Sequence, residues 1–268
     1  MNLKATYKRI LLTIGKMIFL LVTIISMAFV NNEYKKKKVE NITIKIISSN
    51  QPMLCSDEEI EIYLKKHFDE LKDKTYQDIH FYELENIINE KNEIKTSAIY
   101  FTLDNQLYIQ VTERKPIARI LNNRFNHYID DEWKLFVVTK PYKVPLIMGE
   151  IYDLPKLFKH YPINKIKKYP SLSEVSKLDD IYIAMNTILS DTLLLNFIDY
   201  VYINKNNDII LYPIIGKFSI NAGTSEYFQE KMNKLKLFIY QGLNKNDAWN
   251  RYSEINLKYK QLIYCTKK

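Results

Sequence analysis

Glycine is scarce, with 5 in 268 residues, and no spaced run of it forms a loop that cradles a phosphate. Arginine is also rare: Arg9, Arg114, Arg119, Arg124 and Arg251 stand against 34 lysines. Arginine makes the forked contacts to phosphate and guanine. Its shortage, and the lack of a lysine stripe interleaved with aromatics, argue against nucleic acid as a partner despite a net charge of +8. The two cysteines, Cys55 and Cys265, lie far apart in no metal spacing. A bridge between them is open on count alone, and two buried free thiols are the expected state. His67, His80, His127 and His160 form no ligand pair at helical spacing, and no Gly-x-Ser-x-Gly or His-Glu-x-x-His occurs. Asp130-Asp131-Glu132 lacks the alternating oxygens and central Gly of a calcium loop and reads as a hairpin turn. No catalytic site, metal, cofactor or small-molecule substrate is expected.

What is present is globular. Apolar residues make 47% and charged residues 26% of the chain, enough for a sizeable core in one or two domains. The abundance of Lys, Asn, Ile and Tyr has the look of AT-rich coding. Residues 10–30, from Ile10 to Val30, read ILLTIGKMIFLLVTIISMAFV. As a helix they span ~31 Å, matching a hydrocarbon core of ~30 Å. Lys16 is the one charge, near the N-terminal end, where its stem reaches the interface. A cleaved signal peptide is the competing reading, through Ser26-Met27-Ala28, but the apolar run continues past it. A retained transmembrane helix is expected, after a tail over 1–9. Lysines flank both ends, so charge counting ties on orientation. The Lys35-Lys36-Lys37-Lys38 run, within a basic linker at 31–38, suits an anionic membrane surface.

Residues 39–47 alternate and are β-branched, which predicts a strand. Ser56 and Glu59 form a capping box ahead of Ile60, Leu64, Phe68 and Leu71 at helical spacing. A second helix follows from Phe81, Leu84, Ile87 and Ile88, ending near Asn92. Strands at 97–103 and 106–114 flank the turn Asp104-Asn105. Beyond Ile120 short strands are read at 125–129, 135–138 and 144–148. Residues 150–178, with Pro155, Pro162 and Pro170, read as an exposed irregular insertion. A helix is read at 179–189, and a hairpin from 197–203 and 208–212. A further helix carries Phe228, Met232, Leu235 and Ile239, with Gly242 as its stop. One long last strand is read over 254–264. The fold class is α+β: a βααββ unit at 39–117, then a mixed, mostly antiparallel β-domain at 118–265 and a tail at 266–268.

At 106–120 the text is QLYIQVTERKPIARI. It resembles the close of the POTRA domain in the FtsQ/DivIB cell-division family, with Glu113, Arg114, Pro116 and Ala118 matching a Glu-Arg-x-Pro-x-Ala motif. Pro116 is expected to end strand pairing as the chain crosses to the next domain. Tyr128-Ile129-Asp130-Asp131 with Lys134-Leu135-Phe136, Val144-Pro145 with Gly149, the late helix KMNKLKLF and the close NRYSEINLKYKQLIYCTKK are similar to family segments. Glu132-Trp133 stands where a Gly is common in the family, so a wider turn is expected there.

The resemblance implies a non-enzymatic septal scaffold, single-pass in the cell inner membrane, N-terminus cytoplasmic and domains periplasmic. It also implies binding to an FtsB/FtsL-type coiled coil, with FtsA-, FtsK-, FtsW-, FtsI- and FtsN-type proteins as further divisome candidates. An open sheet edge over Ile255, Asn256, Leu257, Lys258, Tyr259, Lys260, Gln261 and Leu262 is the expected partner-binding site, by strand addition. Two alternatives stand beside this: the chain's own tail at 266–268 caps that strand, or the protein is a POTRA-bearing assembly factor for β-proteins.

Overall fold

The computed structural model describes residues 3–67, 71–72, 74–152, 154–245, 247–259 and 262–268, with side chains from Leu11 onward, His67 excepted. Phe68, Lys260 and Gln261 therefore lie outside the described residues, as does the Ile10 side chain.

Helix α1 (Leu3–Lys35) contains the apolar run. Its Leu11–Lys35 part includes an 18-residue window of mean hydropathy 2.2, none of it buried, so it is long and apolar enough to cross a membrane. Lys16 and Val30 both lie within it. By contacts the chain divides into two units: Met1–Ile47 with Cys55–Glu113, and Ser48–Leu54 with Arg114–Lys268. Residues 48–54, expected with the first domain, thus pack with the second.

The first unit holds β1 (Asn41–Ile47), α2 (Asp57–His67), α3 (Phe81–Glu90), β2 (Ile94–Phe101) and β3 (Gln106–Glu113), the βααββ order read from the sequence. The sheet order is β1-β3-β2, with β1 parallel to β3 and β2 antiparallel to it. The capping box forms reciprocally: Glu59 N donates to Ser56 Oγ at 3.3 Å and Ser56 N to Glu59 Oε2 at 3.2 Å. Asn105 takes φ +62° in the turn between β2 and β3, as the short polar side chain allows. Ile60, Leu64, Leu84 and Ile88 from the helices bury against Leu107, Ile109 and Val111 of β3. Tyr34, near the end of α1, donates its hydroxyl to Phe101 O at 2.9 Å, its ring lying among Tyr76 and Phe101.

The second unit is built on a nine-stranded sheet. Its strands are β4 (Pro116–Leu121), β5 (Asn126–Asp130), β6 (Leu135–Phe136), β7 (Leu146–Gly149), β8 (Ile198–Ile203), β9 (Ile209–Pro213), β10 (Ser219–Gly223), β11 (Tyr252–Asn256) and β12 (Tyr264–Lys267). They lie in the order β12-β11-β10-β9-β8-β7-β4-β5-β6. The β4–β7, β7–β8 and β10–β11 pairs are parallel and the others antiparallel. Helices α4 (Pro170–Ser176), α5 (Leu178–Leu189), α6 (Thr192–Phe197) and α7 (Phe228–Phe238) accompany it. Ile120, Ile147, Val201, Leu211, Ile220 and Ile255 share one buried cluster with Ile181, Met185, Phe228, Met232 and Leu235. Alternation along each strand sends one residue set into that cluster.

Several expectations are corrected here. Residues 150–178 are not an exposed irregular insertion. Phe158, Ile163 and Ile166 are fully buried in the main cluster. Pro155 and Pro162 each precede a short 3₁₀ turn and Pro170 opens α4, so the prolines start local structure where fixed φ is favourable. At the junction, pairing in the first sheet stops at Glu113, and Pro116 opens β4 of the second sheet opposite Asp130, a position that needs no ladder N–H. Gly242 does not stop the late helix; it lies within a π-helical turn, Ile239–Asn244, that prolongs α7. A Cβ on it would meet the Phe238 ring at 2.7 Å. The Glu132-Trp133 turn is tight: Trp133 adopts φ +64°, Trp133 N donates to Asp130 O at 2.8 Å and its ring stands edge-on to Tyr182. A large residue occupies the left-handed position because its ring is packed.

Candidate functional site

The C-terminal end of the large sheet differs from the sequence reading. The alternation of 254–264 breaks, and two strands form in place of one. Leu257 N bonds Asn221 O at 2.8 Å, continuing the partnership with β10, and the Asn256 side chain then accepts from Lys258 N at 3.0 Å, turning the chain. After residues 258–263 the chain returns as β12, antiparallel to β11, with Ile255 opposite Cys265 and Asn256 opposite Tyr264. An uninterrupted strand would have set the amide of Gln261 in the inward series of Ile255 and Leu257; that is the sequence signal for the break.

The expected partner-binding residues therefore separate. Ile255 and Leu257, both 0% exposed, are core. Asn256 is half-buried, and Lys258 pairs with Asp208 at the tip between β8 and β9. Tyr259 and Leu262 are each 55% exposed. Lys260 and Gln261 fall outside the described residues. β11 has β10 on one side and β12 on the other, so it presents no free edge. The tail alternative is the one seen, starting at Tyr264, and it moves the border of the sheet to β12.

β12 is a short border with open chemistry. Among the described residues no strand pairs with its outer side, so every second backbone N–H and C=O points away from the sheet. Tyr264 is 52% exposed, and its ring stands edge-on to Tyr259 at 4.9 Å. Thr266, Lys267 and Lys268 are exposed. Leu237 of α7, which shares a surface hollow with Ile263, is exposed as well. Lys234 of α7 donates to the carbonyls of Leu257, Tyr259 and Leu262, holding the turn between the two strands. Neither β12 nor Lys234 was singled out from the sequence, because both depend on contacts distant along the chain.

The four motif residues sit in two settings. In the first unit, buried Glu113 accepts from Cys55 N at 2.7 Å and from its Sγ at 3.1 Å. Burial, and then that carboxylate, push the Cys55 thiol far above its ordinary range, so it stays protonated and inert. Cys55 and Cys265 are both free. In the second unit, Arg114 pairs with Asp130 at 2.6 Å and lies over the Phe136 ring. The other Asp130 oxygen accepts from Glu132 N at 3.0 Å and Lys134 N at 2.8 Å. Asp130 is fully buried, so its charge is compensated by these donors together. Ala118, within β4, is buried in the main cluster.

Residues 115–266, more than half of the chain, match the model described as FtsQ/DivIB, C-terminal related. The chain belongs to the FtsQ/DivIB family. Residues 37–112 of this FtsQ/DivIB-family protein match a POTRA-like domain. No curated protein matches the chain. The two domains support a cell-division scaffold role built on protein–protein contacts, and both are non-catalytic scaffold types. Among the described residues one helix, at the N-terminal side, is long and apolar enough to cross a membrane, which suits a single-pass anchor.

Proposed function

We propose that this protein is a septal divisome scaffold that holds an FtsB/FtsL-type coiled-coil partner by strand addition to β12. It is held in the cell inner membrane by α1, with a cytoplasmic N-terminus and periplasmic domains. The observation that carries the reading is the position of β12: last in the sheet, paired inward to β11 and unpaired outward among the described residues. An added strand would complete the outward N–H and C=O groups, and affinity would come from the main chain. Lys267 and Lys268 beside this edge discourage self-pairing and favour an acidic partner segment. Tyr259, Leu262 and Tyr264 offer apolar contact at the rim. This places the proposed partner site on Tyr259, Leu262 and 264–267, while Ile255 and Leu257 support it from the core.

The test is a photo-cross-linking residue placed at Thr266 in dividing cells, with the same residue at Val137 as control. Both side chains are exposed. The reading expects an adduct with the FtsB-type partner from position 266 alone. Adducts from 137 and none from 266 would refute it.

A further inference from the structure

β12 is four residues long and is joined to β11 by a turn lacking glycine. Such a short strand at the border of a sheet frays unless something outside the ladder holds it. The turn is held from α7. The Lys234 ammonium has three N–H donors. It donates to three carbonyls: Leu257 O at 3.3 Å where the turn begins, Tyr259 O in its middle and Leu262 O at 3.3 Å where it ends. One cation thus closes both ends of the turn on the same point of α7. Met232 and Leu235, fully buried, fix that stretch of α7 on the core. Lys258 adds a second tie, to Asp208.

We propose that Lys234 is a positioning residue whose carbonyl contacts keep β12 docked, so that β12 and not β11 is the border strand offered to a partner. With the ammonium removed, the turn carbonyls lose a charge-assisted donor, β12 detaches, and the β11 edge opens in its place. Burial holds the Lys234 ammonium below its ordinary range, consistent with a group whose water has been replaced by carbonyl oxygens. The consequence for partner binding rests on the function proposed above; the docking of β12 does not.

The experiment uses the full chain in detergent micelles and compares wild type, Lys234→Met and Lys234→Arg. Lys234→Met keeps the stem and deletes the donors. Amide hydrogen exchange without any partner should quicken at least about tenfold over 257–267 in Lys234→Met, matching the worth of a charged hydrogen bond. Strands β8 and β9 should be unchanged, and Lys234→Arg should restore part of the protection. Unchanged exchange over 257–267, or a rise spread through the whole second unit, would overturn the proposal. Capture of a coexpressed FtsB-type partner is measured alongside. A loss of capture that parallels the fraying supports both readings. Fraying with undiminished capture leaves the staple standing and removes β12 as the partner's edge.

Discussion

The two ends of the large sheet solve the edge problem in opposite ways. At one end β6 is two residues long, Leu135 and Phe136, both buried. The adjoining turn is locked by Asp130, through Arg114 on one oxygen and two backbone amides on the other. Only two residues there border the sheet, a short stretch for another chain to pair with. At the other end β12 is largely exposed and flanked by lysines and tyrosines; it is held by its ladder with β11, by the Ser253 hydroxyl on Thr266 O and by its turn. The two borders thus differ in length, burial and flanking charge, and the longer, lysine-flanked one is the border our proposal assigns to an added strand.

Breaking the sealed end should cost most. Asp130→Ala removes the buried acid that pairs with Arg114 and accepts from two turn amides, and should destabilise the second unit by about 3–5 kcal/mol. The urea midpoint would fall accordingly; a shift under about 1 kcal/mol would show that the turn is held otherwise. At the open end the cost should depend on which side of the border is touched. Ile255→Ala, on the core side, should lose about 2–5 kcal/mol in the same unfolding measurement. If it instead weakens partner capture without loss of stability, the division between support and contact residues is wrong.

A smaller effect concerns the seating of α7. Asp191 caps α6 and pairs with Lys236 of α7 at 2.6 Å. The Lys236 hydrogen bond, and then the Leu194 amide, hold its carboxyl below the usual carboxylate range. The folded protein then binds this proton less readily than the unfolded chain. Its contribution is present above about pH 4 and is lost as pH falls through the folded-state value. Asp191→Asn should flatten the acid limb of the stability–pH curve and converge with wild type at the lowest pH. The smallest stability effect is expected at Tyr264→Ala, within about 0.5 kcal/mol, as for an exposed border side chain. Its copurification of an FtsB-type partner should nevertheless drop.

The same contrast explains what the sequence could show. The first unit was legible because its signals are local: a capping box at Ser56 and Glu59, a stripe from Leu84 to Ile88, and a turn at Asp104-Asn105. In the second unit, β8, β9 and α5 were equally legible from alternation and helical spacing. Strand β10 and helix α6 were not read. Pro155, Pro162 and Pro170 resembled breakers because propensity does not say whether a proline starts an element or ends one. The division of β11 from β12 left one local sign, Gln261 in the inward series, and was otherwise hidden for a deeper reason. It is decided by Lys234, over twenty residues upstream of the turn it holds, and by pairing with β10. No window of periodicity contains those partners.

The central claim is that β12 receives a neighbour's strand, and hydrogen exchange with and without a bound FtsB-type partner tests it most directly. Binding should slow the backbone amides of 264–267 strongly while leaving those of β6 unchanged. Slowed exchange elsewhere, with the 264–267 amides as fast as in the free protein, would contradict it.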